Sequence, residues 1–554
     1  MSSNRRNFIK QAGILAAAPS LSVANTVSAT QANSKPLVIA NAHTAIADTE
    51  YGKVKGYIRK GIFTFKGIPY GASTSGNNRF MPPVKPQPWT VAKDCLVYGP
   101  IAPQRIDSGW LQIEYGFLYQ WIDGFQDEDC LRLNVWSPAI SDGKKRPVMV
   151  WIHGGGFSTG SSQEHPSYDG ENLARLGDVV YVSINHRLNV FGYLDLADYG
   201  SQYVSSGNVG MLDIVAALEW VRDNIHNFGG DKDNVTIFGQ SGGGSKVITL
   251  MAMPAAKGLF HKAISESNSI VQMSTHAYAT QVTAHVLDYL KITKETIGEL
   301  HHVAPTKLTE AIAYAEQKMG SKVPADVGRS GLQPVVDGKV LPVHPFDPVA
   351  PEISANIPFM VGTTRNEASA SINNAPLENL DEAGLKRRIL EKYPTLGPKL
   401  YEVLRKVHPT VKPVEILSFL SAQNPMAFLQ ATRKSAQKAA PVYLYMFSWH
   451  TPVLDGRPRA FHCSEIPFAT YNTEKCENYT GATEEAKALS KKTALAWINF
   501  AKHGNPNHSL LPHWPAFNRD NGSMMVFNNT CSVKNDPDGE ARKMLERIFY
   551  NKES

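Results

Sequence analysis

The stretch Val235-Thr236-Ile237-Phe238-Gly239-Gln240-Ser241-Gly242-Gly243-Gly244 leaves this chain little freedom in how it folds locally. A β-favouring run enters Gly-x-Ser-x-Gly, and an apolar, helix-compatible segment from Ser245 to Met253 follows. A strand that turns at once into a helix forces its central residue into strained dihedrals, and glycines two residues to either side remove the side chains that would block the turn. Ser241 then stands alone at the top of a sheet, with the N–H of Gly242 pointing at any oxyanion formed there. In a chain with 42 glycines the bare pattern is weak evidence. Its flanking elements and its partners give it meaning.

Arg146 to Ile152 is a nearly continuous apolar run, as expected of a strand buried on both faces, and it ends in His153-Gly154-Gly155-Gly156-Phe157. Three successive glycines there let neighbouring backbone N–H groups point the same way, which suits a developing oxyanion. Asp178 to Asn185 reads as another central strand. Met211 to Phe228 has apolar residues at helical spacing, closes on Gly229-Gly230 and leads into the strand bearing Ser241. Strand, helix and strand in this order predict a mostly parallel sheet wound in right-handed crossovers. Further strands are expected at Ala263–Ser267, Ile357–Thr363 and Val442–Trp449, the last strong one. Residues 33–100 hold short β-like runs, Gly52–Ile58 and Ile62–Phe65 among them, that read as an antiparallel start to the sheet. Helical patterns over 270–330 and 375–440 suggest a cover, and a C-terminal helix is expected from Thr483 to His503.

With 554 residues, 42% of them hydrophobic, the chain can bury a large core, and residues 33–554 read as a single domain. No run beyond the N-terminus approaches the roughly eighteen apolar residues that a membrane span needs. The net charge is +6, of which Arg5, Arg6 and Lys10 supply three; the remainder argues against nucleic acid as a partner. Those three residues, the apolar run Ala12–Ala18 and the small-residue site at Val27-Ser28-Ala29 read as an export signal over 1–32, resembling the twin-arginine type used for folded proteins bound for the bacterial periplasm or beyond. Cleavage after Ala29 or Ala32 fits equally. Five cysteines are too few for a disulfide scaffold. Neither Cys-x-x-Cys nor His-Glu-x-x-His occurs, so no metal or other cofactor is expected.

A serine hydroxyl becomes nucleophilic only when a base takes its proton, and an imidazole serves well when a carboxylate fixes its tautomer. Glu367 follows a predicted strand, where catalytic side chains of α/β sheets gather, and His462 follows the last strong one. His450 rivals His462; Glu465 and Asp455 rival Glu367 but lie close to His462 in sequence. Between Trp110 and Phe125 the aromatics crowd together, with Tyr115, Phe117, Tyr119 and Trp121. That segment reads either as core packing or as the lining of an approach to the site, which would favour hydrophobic or aromatic substrates.

Taken together these residues resemble the type-B carboxylesterase family, the α/β-hydrolases that include cholinesterases and bacterial p-nitrobenzyl esterases. The resemblance covers nearly all of residues 33–554: Phe65-Lys66-Gly67-Ile68-Pro69-Tyr70, Glu128-Asp129-Cys130-Leu131, His153 to Phe157, Asn185-His186-Arg187, Gly239 to Gly243, Gly362 to Glu367, Phe461-His462 with Glu465-Ile466-Pro467-Phe468, and His503-Gly504-Asn505-Pro506. It implies an α/β-hydrolase fold, with a twisted, mostly parallel sheet, helices on both faces and helical cover insertions. It implies a small-molecule carboxylic ester as substrate, Ser241 as nucleophile, His462 as general base and then acid, and Glu367 as its orienting acid. Gly155, Gly156 and Gly242 would supply the oxyanion hole. Trp110, Tyr115 and Phe157 are the pocket candidates.

The sequence departs from that family in four places: Gln240 stands for the usual Glu, Gly242 for Ala, His186 for Tyr and Cys463 for Gly. The cysteine that usually pairs with Cys130 would fall near Ala102, which leaves Cys95–Cys130 and Cys463–Cys476 as the bridges to check. Two other functions share the fold: a catalytically dead, cholinesterase-like binding module, and the same machinery turned on amide, carbamate or lactone bonds. Ser435-Ala436-Gln437-Lys438 matches Ser-x-x-Lys but lacks the companion motifs.

Overall fold

The computed structural model describes residues 36–105, 112–122 and 124–553. The expected export signal at 1–32 and the pocket candidate Trp110 lie outside them. Twelve strands make one sheet: β1 (Val38–Ile39), β2 (Tyr57–Arg59), β3 (Ile62–Pro69), β4 (Arg132–Ser137), β5 (Arg146–Ile152), β6 (Val180–Ile184), β7 (Gly230–Gln240), β8 (Lys262–Glu266), β9 (Phe359–Thr364), β10 (Val442–Phe447), β11 (Ser523–Phe527) and β12 (Ser532–Asn535). Across the sheet they follow chain order except that β5 and β6 change places. Neighbours from β6 through β5 to β11 pair in parallel, and antiparallel pairs flank them on both sides.

The continuous apolar runs of the central strands serve two cores at once, because successive side chains leave a strand on opposite faces. Val148, Val150 and Ile152 of β5 meet Met211, Ile214 and Leu218 of α1 (Val209–Asn224) and Val247 and Ile248 of α2 (Gly242–Ala252). Met149 and Trp151 of the same strand face the other way, into the cluster of Tyr181, Phe238, Tyr445 and Trp497. Trp497 belongs to the helix Glu484–His503, which covers that second face. Burying each large side chain of this kind stabilises the fold by about 1.5–3 kcal/mol relative to exposure. A third cluster joins the cover helices Glu382–Lys392 and Gly397–Val407 to Gly539–Phe549 through Leu385, Leu404 and Leu545.

Two expectations change. The run Gly52–Ile58 is broken at Gly56: Gly52–Lys55 enters a separate three-stranded sheet with Ile46–Thr49 and Lys93–Asp94, whereas β2 joins the large one. A Cβ at Gly56 would overlap Thr64 O and the Phe65 ring, so glycine alone permits the crossing. The sheet also continues past Val442–Trp449, since Ser523-Met524-Met525-Val526-Phe527 pairs in parallel with β10. All five cysteines are free, so neither Cys95–Cys130 nor Cys463–Cys476 is bridged. Among the described residues no helix is long and apolar enough to cross a membrane.

Candidate active site

β7 ends at Gln240 and α2 begins at Gly242, which leaves Ser241 alone in the turn with φ 58° and ψ −120°. A non-glycine residue held there stores about 1–3 kcal/mol of strain. The surroundings enforce it: Ser241 N–H donates to Glu266 O at 2.8 Å, and Ser245 N–H donates to Ser241 O at 3.0 Å. The N-terminus of α2 faces the same spot, and its dipole favours negative charge there.

Parallel pairing of Gly239 with Ile152 sets the end of β7 beside the end of β5. The loop His153–Phe157 therefore borders Ser241, and a Cβ added at Gly154 would lie 3.6 Å from Ser241 Cβ. Gly155 and Gly156 take φ of 77° and 64°, which favour glycine. Gly242 is pressed onto Gly156: an added methyl would come within 3.0 Å of its N, Cα and O, closer than real Cβ atoms approach. The backbone N–H groups of Gly155, Gly156 and Gly242 donate to no other described group.

Glu367 follows β9 and is almost fully buried, while His462 remains partly open. Oε1 of Glu367 accepts from Thr363 Oγ1 at 2.6 Å and from Thr364 N–H at 2.8 Å; Oε2 is bonded to His462 Nδ1. The two carrier segments are laced together, with Asn366 N–H donating to Ala460 O at 2.9 Å and Ala460 N–H to Asn366 Oδ1 at 3.3 Å. Tyr119 O–H donates to His462 O at 2.8 Å. Gln240 Nε2 lies 3.4 Å from both ring nitrogens of His462, which brings the imidazole up to the residue preceding Ser241. The Ser241 hydroxyl itself makes no hydrogen bond within 3.5 Å among the described residues. The structure thus joins His462 to Glu367 directly and to Ser241 only through Gln240; such contacts often tighten when substrate binds.

Burial alone would raise the Glu367 carboxyl, but His462 and the hydrogen bonds from His462, Ser267 and Thr363 outweigh it and hold the group below the ordinary carboxylate value. Burial opposes protonation of His462, a charge on Cys463 or on Glu367 favours it, and the balance lies above 6.5. Burial pushes the Cys463 thiol up, so it is a neutral S–H, donating to Gln240 Oε1 at 3.1 Å. The charge facing the imidazole is therefore that of Glu367. Two more carboxyls lie behind it: burial raises Glu465 to about 8 and Glu266 to about 7. Both hold their protons far more readily than Glu367, whose carboxyl is held below the ordinary value, so the negative charge concentrates on Glu367.

None of the rivals takes the place of His462 or Glu367. His450 faces Glu415 at 3.9 Å, Glu465 accepts from Ser267 Oγ at 3.0 Å, and Asp455 is exposed in a surface turn. Tyr115 stacks on Tyr119, with centroids 5.7 Å apart, and lies near enough for the His462 charge to act on it. Phe157 is corrected as a pocket residue. It is fully buried and packs edge-on against Tyr193 at 5.2 Å, so it braces the glycine loop from below. Beside that loop opens a cavity of about 280 Å³ lined by Ser158, Thr159, Ile312, Glu316 and Leu332. Sequence reasoning passed over Asn366, Gln240 as a neighbour of the imidazole, and Lys246, the one charge in the apolar run after Ser241. Among the described residues no group of three or more His, Cys, Asp or Glu could hold a metal ion.

A centrally parallel sheet with one exchanged pair of strands, and a serine held in a strained strand-to-helix turn, define an α/β-hydrolase. The profile of the Carboxylesterase family matches residues 43–544. The para-nitrobenzyl esterase of Bacillus subtilis is 37% identical over 516 residues, covering 90% of this chain and 98% of its own. The phenmedipham hydrolase of Pseudarthrobacter oxydans is 32% identical over 500 residues, 87% of this chain and 94% of its own. Among solved structures, a Clostridium hathewayi esterase described as able to hydrolyse aliphatic aromatic polyesters superposes with a TM-score of 0.79 at 35% identity, covering 92% of this chain and 99% of its own. The chain belongs to the carboxylesterase family, and it is a carboxylic ester hydrolase.

Proposed function

We propose that Ser241 attacks the ester carbonyl and carries the acyl group until water releases it. His462 takes the serine proton and passes it to the leaving alcohol, then repeats both transfers with water in place of serine. Glu367 orients the imidazole and stabilises its charged form. Gly155, Gly156 and Gly242 donate to the oxyanion. The observation that carries this reading is the strained Ser241, bordered by three uncommitted N–H donors and approached by an imidazole whose far nitrogen is bonded to a buried carboxylate. Ser241→Ala should abolish the burst of alcohol from p-nitrophenyl butyrate and all labelling by a fluorophosphonate. Ordinary turnover by that variant refutes the assignment.

Hydrophobic and aromatic esters are the substrates this site favours. Support comes from the segment over His462, where Ile113, Phe117, Ile122 and Phe125 are exposed while Tyr119 is buried and anchored. A hydrolysis profile over acyl chain lengths tests this, and a maximum at acetate would contradict it. The paired Arg5-Arg6 and the apolar run behind them support export to the periplasm or beyond. Fractionation of cells expressing the full chain tests that: retention of all activity in the cytoplasm overturns it.

A further inference from the structure

Lys246 is fully buried on α2, five residues past Ser241. Its Nζ donates to His153 O at 3.0 Å and to Gly154 O at 3.4 Å, the two carbonyls that open the glycine loop. His153 Nδ1 reaches the same Gly154 oxygen at 3.1 Å. No carboxylate lies within 4.0 Å of the ammonium among the described residues. Burying an unpaired ammonium is costly, and the apolar residues around it on α2 show what ordinary packing would place there. The groups it does touch belong to the loop that borders Ser241.

A peptide unit is planar and trans, so fixing its carbonyl fixes the opposite direction of its N–H. With the Gly154 oxygen held toward Nζ, the Gly155 N–H must point away from Lys246. With the His153 oxygen held the same way, the preceding peptide cannot rotate to relieve it. The same contact polarises the amide, and a positive charge behind a peptide makes its N–H a stronger donor.

We propose that Lys246 is a positioning residue for ester hydrolysis: its ammonium anchors the His153 and Gly154 carbonyls so that Gly155 N–H faces the oxyanion, and its charge stabilises that oxyanion through the peptide. The inference rests on the assignment of Gly155 to the oxyanion hole. Its electrostatic half requires the charged form. Burial lowers the Lys246 pKa to about 7, with Glu164 opposing the shift and Arg329 adding to it. The other titratable neighbours are His153 and His186, whose rings stack at 4.8 Å. Burial first and Lys246 second hold both well below the usual imidazole range, so they are neutral and leave Lys246 as the positive group behind the loop. On the loop's other side stands the Arg329 guanidinium, with Nη1 only 2.6 Å from a Cβ built at Gly156; burial lowers its pKa, and Glu316 opposes that shift.

The test uses Lys246→Met, which matches the volume without donor or charge, and Lys246→Gln, which retains a donor alone. With p-nitrophenyl butyrate, Lys246→Met should lose about 10²-fold in kcat, the cost of one misdirected hole donor, while KM moves less than about threefold. Lys246→Gln should recover part of that loss. The pH profile separates a catalytic contribution from mere packing: beyond the rise set by His462, wild-type kcat/KM should fall on the alkaline side of its maximum as Lys246, whose pKa burial lowers, loses its proton, and both variants should keep the rise but lack that fall. A Lys246→Met enzyme with wild-type kcat and an unchanged alkaline limb overturns the proposal. If that variant does not fold, a wild-type profile that shows no alkaline fall up to pH 9 overturns it alone. Ser241→Ala keeps the two readings apart, since a silent Ser241→Ala beside a normal Lys246→Met refutes only the role of Lys246.

Discussion

Gly242→Ala restores the residue commonly found at this position in the family, yet here it should disable the enzyme. The added methyl would fall within 3.0 Å of the N, Cα and O of Gly156, whereas ordinary carbon–oxygen contacts lie near 3.3–3.6 Å. The loop must therefore retreat by about 1 Å. It has little room: Nη1 of Arg329 lies 2.6 Å from a Cβ at Gly156, Gly155 is backed by Thr159, and Lys246 holds the Gly154 carbonyl. A displacement of about 1 Å at a reacting centre costs roughly 10²-fold, and full loss of one hole donor costs about 10²- to 10³-fold, or about 2.7–4 kcal/mol of transition-state stabilisation. Stopped-flow hydrolysis of p-nitrophenyl butyrate should show kcat reduced by about 10²-fold or more, with KM nearly unchanged. Overpacking should also lower the unfolding free energy by about 1–3 kcal/mol. Wild-type kcat in a folded Gly242→Ala enzyme would refute the contact between the two glycines and the role assigned to them.

Because the His462 pKa is raised above 6.5 and the base must be neutral to act, wild-type kcat/KM should climb through a midpoint above 6.5; Glu367→Gln should move that midpoint down and reduce kcat, as a pH–rate profile would show. The same raised pKa contributes stability that is complete below pH 6.5 and disappears as pH rises through the folded value, which denaturant unfolding at several pH values can measure. Arg187 and Asp213 form a buried pair, with Nη2 donating to Oδ1 at 2.6 Å and Nε to Oδ2 at 2.8 Å; Arg187→Ala should cost about 3–5 kcal/mol by urea denaturation, because Asp213 is left buried without its partner. Denatured, unreduced protein should titrate five thiols per chain with a chromogenic disulfide reagent, and a count of three would reveal a bridge.

The turn at Ser241 was legible because its chemistry is local: glycines at fixed offsets, a β-favouring run before and an apolar run after. The buried strands declared themselves by uninterrupted apolar residues, and the order of β5, α1 and β7 followed from their succession. Glu367 and His462 were found through family resemblance, since a lone carboxylate or imidazole in a loop carries no local signature. What stayed illegible depends on contacts far apart in sequence. Ala460 reaches Asn366 across 94 positions, and no short pattern records that. Phe157 looked available for substrate, yet its ring turned inward onto Tyr193. Gly56 interrupted a strand because of what Thr64 and Phe65 do opposite it. Lys246 was passed over as one charge in an apolar helix, and its meaning needed the carbonyls of a loop 92 and 93 positions away.

The lacing of Asn366 to Ala460 has a bearing on how this protein fails. A carboxylate and an imidazole whose carrier segments are stapled together in this way cannot come loose one at a time, so heating should divide a sample into fully competent molecules and spent ones. The survivors in a half-inactivated preparation would then keep the KM and pH dependence of the fresh enzyme, and only their number would have fallen.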